Sequence, residues 1–118
     1  MPLYKARSEI HGYGAFASRP IKKGETIAVW DGPYADKLPN DESAKYYLYV
    51  RPNKWLVGFG CDYAESFINH SSAPNSKIIW HDDVATLIAL RSVESNEEVT
   101  FDYATVCPNW ETPPEGPK

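Results

Sequence analysis

Three short stretches hold most of the residues in this chain that could do chemistry. The first is His11-Gly12-Tyr13-Gly14-Ala15-Phe16-Ala17. Two glycines flank an aromatic just before a strand-like run, which lets backbone approach a ligand closely or turn sharply. It lacks the third glycine and the following helix of a dinucleotide fingerprint, so taken alone it reads as a tight turn. The second is Phe67-Ile68-Asn69-His70-Ser71-Ser72-Ala73-Pro74-Asn75. It is dense in side chains that bond backbone: Asn69, Ser71, Ser72 and Asn75. His70 has the chemistry of a metal ligand, a base or a loop cap, and a structural role is the commonest of these. The third, Asn96-Glu97-Glu98-Val99-Thr100-Phe101-Asp102-Tyr103, is an acidic turn leading into a strand that ends in Asp-Tyr. Singly, it reads as a hairpin turn and an edge strand.

The elements that must position these stretches are short. Strand-like runs fall at residues 15–18, 26–30, 46–50, 54–57, 76–81, 84–90 and 99–101, with Gly, Pro, Asn and Asp between them. That spacing predicts a mostly-β domain. Asp82-Asp83 between two apolar runs predicts a hairpin, although Asp-Asp is a poorer turn than Asp-Gly. No sustained 3.6-residue stripe runs long enough for a long helix, and residues 41–45 suit one helical turn. No internal repeat is evident. Four prolines (Pro108, Pro113, Pro114 and Pro117) crowd the end of the chain. They exclude regular structure there, and Trp110 among them is expected to dock on something.

Composition bounds the function. The chain has 118 residues and a net charge of −4, one domain with a single core. The acidic balance argues against direct nucleic-acid binding. Cys61 and Cys107 form no Cys-x-x-Cys, which argues against a zinc finger or a redox pair. No apolar stretch reaches the length of a signal peptide or a membrane span. The expectation is a soluble protein, cytoplasmic or nuclear, or delivered to a host cell by a non-classical route.

Taken together and in this order, the three stretches resemble the SET domain, a β-rich lysine methyltransferase family. Gly12-Tyr13-Gly14 is similar to the family's Gly-x-Gly. The second stretch is similar to its Phe-Ile-Asn-His-Ser-Cys-x-Pro-Asn block, and Glu97-Glu98-Val99-Thr100-Phe101-Asp102-Tyr103 to its Glu-Glu-Leu-Thr-Phe-Asp-Tyr block. The similarity spans about residues 3–104 of one domain covering 1–118. Residues 105–118 form a Pro-rich tail.

The resemblance implies a fold of small curved sheets with a C-terminal pseudoknot and few short helices. It implies a protein-lysine N-methyltransferase that uses S-adenosylmethionine, with a histone or other basic protein as partner. Gly12, Tyr13, Gly14, Asn69 and His70, with Tyr103, would bind the cofactor. Tyr103 would be the active-site tyrosine. Phe101 stands where Phe permits di- or trimethylation. Tyr47, by a looser alignment, would line the lysine channel. The chemistry suits these residue types. Lysine, with a pKa of about 10.4, must lose a proton before it attacks, and an aromatic channel that desolvates the ammonium favours that loss. A tyrosine with a pKa of about 10 is a poor general base, so Tyr103 is read as a positioning and electrostatic group.

The chain also departs from the family pattern. Ser72 stands for the usual Cys, Ser66 for a common Arg, and only Cys107 remains where many members carry a zinc-binding Cys-x-Cys segment. Zinc is therefore not expected. The lysine channel would be closed by the tail, with Trp110 as lid, or by a second subunit in a homodimer. Two alternatives belong to other classes. One is a non-catalytic peptide-binding module of the same β-clip fold. The other is a cupin-like metal enzyme using His11, His70 and His81, whose spacing gives it little support.

Overall fold

The computed structural model describes residues 2–41, 44, 47–57 and 63–105. Among these residues, ten short strands build three small sheets: β1 (Leu3–Arg7), β2 (Tyr13–Ala17), β3 (Thr26–Trp30), β4 (Tyr34–Ala35), β5 (Leu48–Arg51), β6 (Lys54–Leu56), β7 (Asn69–His70), β8 (Ser76–His81), β9 (Val84–Ala89) and β10 (Glu98–Phe101). The only helical elements among the described residues are 3-10 turns, at Ala64–Phe67 and Tyr103–Thr105. The expected mostly-β class of small sheets holds. The predicted helical turn at 41–45, Tyr46, Cys61, Cys107 and Trp110 fall wholly or mainly outside the described residues.

Alternation explains the sheet β3-β9-β8. Along β9, Ala85, Leu87 and Ala89 are buried while Val84, Thr86 and Ile88 point to the other face. In β3 the adjacent residues Ile27 and Ala28 are both buried, because a register shift between Thr26 and Ala28 breaks the alternation. The β8–β9 hairpin closes on Asp82 and Asp83, both left-handed at φ 49° and 68°. Two such residues are what a right-twisted two-residue hairpin demands, and Asp tolerates the region better than most residues. Tertiary contacts support this turn. Lys54 and Arg51 ion-pair with the Asp83 carboxylate, and the Tyr34 hydroxyl donates to the Asp83 carbonyl. The hydrogen bond from Lys54, followed by that from Arg51, lowers the Asp83 pKa from its ordinary value.

The structure contains a short repeat that the sequence reading does not find. Residues 17–25 and 89–97 share Ala, Arg and Glu at matching places, with Ile21 facing Val93 in an antiparallel bridge. Ile21 and Val93 exchange backbone bonds of 2.8 Å in both directions, and both are buried. Each half has a left-handed residue next to its end, Gly24 or Asn96. Each then pairs with the alanine that opens the other half: Gly24 with Ala89, Asn96 with Ala17. Arg19–Glu25 and Arg91–Glu97 ion pairs repeat the same local geometry. Only four of the nine places match in type, too few to stand out in a single sequence.

The element that matters most for the site is β10. It enters between β2, antiparallel with Val99 opposite Ala15, and β7, parallel with Thr100 opposite Asn69. This insertion completes the sheet β1-β2-β10-β7. Asn75 clamps it: its Nδ2 donates to the Glu98 carbonyl at 2.8 Å and its Oδ1 accepts from the Thr100 N–H at 2.9 Å. Asn75 is buried, so truncation strands both backbone groups away from water. Asn75→Ala is expected to destabilise the fold by about 2–4 kcal/mol. Urea unfolding followed by circular dichroism reads this as a lower midpoint with an unchanged slope.

Candidate functional site

The insertion of β10 brings the second and third stretches into contact. The Tyr103 backbone N–H donates to His70 Nδ1 at 3.0 Å, and the Tyr103 hydroxyl donates to the Ile68 carbonyl at 2.5 Å. An Nδ1 that accepts carries no proton, so the neutral His70 holds its proton on Nε2. The Tyr103 ring lies 5.3 Å from that of His70 and 5.1 Å from that of Phe101, both tilted. Asp102 caps the turn, its Oδ1 accepting from the Ala104 N–H at 3.0 Å. Phe101 is a core residue at 6% exposure, while Tyr103 is half-buried against the core. The tyrosine is thus fixed at both ends by groups more than thirty residues earlier in the chain.

The first stretch meets the second through Asn69, which is 6% exposed. Its Nδ2 lies 2.8 Å from Glu98 Oε2, 3.1 Å from the Tyr13 carbonyl, 3.2 Å from Ser8 Oγ and 3.3 Å from the His11 carbonyl. Gly12 takes φ +42° at the turn into β2 and has open space around it. Gly14 is the opposite case. A Cβ there would sit 2.2 Å from Glu98 Oε2 and 3.1 Å from Asn69 Nδ2, so the carboxylate occupies the volume of the missing side chain. Tyr13 is 47% exposed, its ring edge-on to Phe67 at 6.3 Å. The Lys5 ammonium lies over both rings, 4.6 Å from Tyr13 and 4.2 Å from Phe67.

Of the residues expected to act together, Gly12, Tyr13, Gly14, Asn69, His70, Phe101 and Tyr103 thus form one connected group. Tyr47 is half-buried ahead of β5, its N–H donating to the Ala44 carbonyl. Trp110 lies outside the described residues. Ser66, where the family commonly carries Arg, has a buried hydroxyl with no hydrogen-bond partner among the described residues. Sequence reasoning passed over Ser8 and gave Glu98 no role of its own. Glu98 sits in the third stretch, yet its partners are distant in sequence.

The model of one family, the SET domain, matches residues 12–104 of this chain. The chain belongs to the SET-domain family. The SET domain is 30% identical over 123 residues to a histone-lysine N-methyltransferase, H3 lysine-4 specific, of Candida albicans; the match takes in 86% of this chain and 11% of that protein. It is 28% identical over 129 residues to histone-lysine N-methyltransferase EZ2 of Zea mays, covering 95% of this chain and 14% of that one. A third relative is the variant-silencing SET domain-containing protein of Plasmodium falciparum, 32% identical over 119 residues, 83% of this chain and 5% of that one. The chain therefore spans only a small part of the curated relatives it matches. Among solved structures, a candidate histone methyltransferase of Plasmodium falciparum superposes with a TM-score of 0.68 at 22% identity, covering 86% of this chain and 96% of that one. That likeness is one of fold.

Among the described residues, no helix is long and apolar enough to cross a membrane, and no group of three or more His, Cys, Asp or Glu is placed to hold a metal ion.

Proposed function

We propose that this SET domain is an S-adenosylmethionine-dependent protein-lysine N-methyltransferase acting on a histone or another basic protein tail. The observation that carries the reading is the double anchoring of Tyr103 to Ile68 and His70, across the β10 insertion. The relatives named as histone-lysine methyltransferases support it.

The residues suit a ligand with a carboxylate, an ammonium, a sulfonium and a flat base. Lys5 and Arg7 carry positive charge near the Tyr13 ring, as a carboxylate prefers. Tyr13, 47% exposed, offers a ring on which a flat base can stack. With every neighbour of its Nδ2 an oxygen, Asn69 keeps its own Oδ1 as an acceptor. The cofactor supplies the electrophilic methyl group. The chain's part is to hold the lysine amine in line and keep it neutral. Tyr103 and Phe101 do this by desolvating the ammonium, which lowers its proton affinity. The Tyr103 hydroxyl, whose proton is engaged by Ile68, positions and polarises without taking a proton.

The test incubates the full chain with methyl-labelled S-adenosylmethionine and core histones, and separately with a cell lysate. Label on lysine is expected, and mass spectrometry of the product is expected to find more than one methyl group, as the resemblance implies for Phe at position 101. A chain that neither binds the cofactor nor transfers label overturns the reading and leaves a peptide-binding module of the same fold.

A further inference from the structure

Among the described residues, Glu98 is the carboxylate that touches all three parts of the candidate site, yet no role follows for it from the motif that contains it. Its two oxygens accept from the Ser8 hydroxyl at 2.8 and 2.9 Å, and Oε2 also accepts from Asn69 Nδ2 at 2.8 Å. The same oxygen fills the space beside Gly14. Ser8 in turn accepts from the Ile10 N–H at 2.9 Å, while its own N–H donates to the Gly12 carbonyl at 2.8 Å. One side chain on β10 therefore binds the loop before β2 and the buried amide on β7, and packs against Gly14.

We propose that Glu98 is a positioning residue for cofactor binding, acting through Asn69; this rests on the methyltransferase reading. An amide has two N–H groups, and four oxygens surround this one. The carboxylate is the closest and the only charged one, so it makes the strongest of these bonds. It holds the donor end of Asn69 toward the Gly-x-Gly turn and keeps the acceptor Oδ1 on the opposite side of the amide. A Gln at 98 has nearly the same shape but an amide that presents either a donor or an acceptor. Asn69 then loses the charged partner that fixes its orientation.

The experiment measures S-adenosylmethionine affinity by calorimetry, and KM and kcat for both substrates, in the full chain and in Glu98→Gln, Asn69→Ala and the double variant. Glu98→Gln is expected to weaken cofactor binding about tenfold, the size of one charge-assisted hydrogen bond. It is expected to leave the KM for the lysine substrate and kcat within about twofold. In the Asn69→Ala background the same change is expected to have no further effect on cofactor affinity, because the residue it acts through is gone. A purely structural role predicts additive losses and a kcat that falls with stability. Ser8→Ala removes one donor and keeps the carboxylate. It is expected to move cofactor affinity in the same direction by a smaller factor, and it carries the test if Glu98→Gln does not fold. Cofactor affinity unchanged in both Glu98→Gln and Ser8→Ala, or additive losses in the double variant, overturns the positioning role while leaving the methyltransferase reading intact. No cofactor binding by the unaltered chain overturns both.

Discussion

Tyr103→Phe is expected to leave a folded protein that binds S-adenosylmethionine and transfers methyl groups on the order of a hundredfold more slowly, the usual cost of deleting one preorganised polar group at a reacting centre. Folding survives because the substitution keeps most of what anchors the residue. The backbone N–H still donates to His70 Nδ1, and the ring still packs against Phe101 and His70. The bond lost is the one from the hydroxyl to the Ile68 carbonyl, worth about 1 kcal/mol. That carbonyl immediately precedes Asn69, so the hydroxyl also ties the turn after β10 to the strand of the candidate cofactor site. The check is single-turnover transfer of labelled methyl to a histone peptide, beside calorimetric titration of the cofactor. A large fall in rate with cofactor affinity unchanged is the expected pattern. An unaltered rate removes the hydroxyl from the reaction.

Gly14→Ala is expected to be the most damaging small substitution in the first stretch. Its Cβ would stand 2.2 Å from Glu98 Oε2 and 2.9 Å from Glu98 Cδ. A free glutamate could swing aside, but this one is held by Ser8 and Asn69 and loses those bonds when it moves. The combined cost is about 2–3 kcal/mol, a fall in Tm of roughly 10 °C for a domain of this size. Gly12→Ala is the contrasting control. Nothing lies within 4 Å of its Cβ, and the strain comes from φ +42° alone, about 1 kcal/mol. Thermal unfolding of the two variants separates a steric requirement from a conformational one. In a Glu98→Ala background, Gly14→Ala is expected to cost much less, because the obstructing atoms are absent. Equal losses in both backgrounds would locate the strain elsewhere.

The parts of this protein that are legible in one dimension are those whose physics is local. The runs 26–30 and 76–81 become β3 and β8 with the same bounds, because apolar, β-branched and aromatic residues cluster there between turn formers. The Asp82-Asp83 hairpin is legible for the same reason, although the ion pairs that support it are not. The three motifs name the family because their residue types and order are specific.

What escapes a one-dimensional reading depends on distant partners. β1 is an edge strand, Leu3-Tyr4-Lys5-Ala6-Arg7, with only Leu3 buried, whose extended form comes from pairing with β2. β7 is two polar residues, Asn69 and His70, that count as a strand only because β10 lies alongside. Glu98 looks like one more acidic turn residue until folding brings Ser8 to it from 90 positions away and Asn69 from 29. A side chain's type sets which bonds it can make. Which bonds it makes, and so whether a carboxylate is a solvated charge or the pin of a binding site, depends on chain crossings that no local pattern encodes.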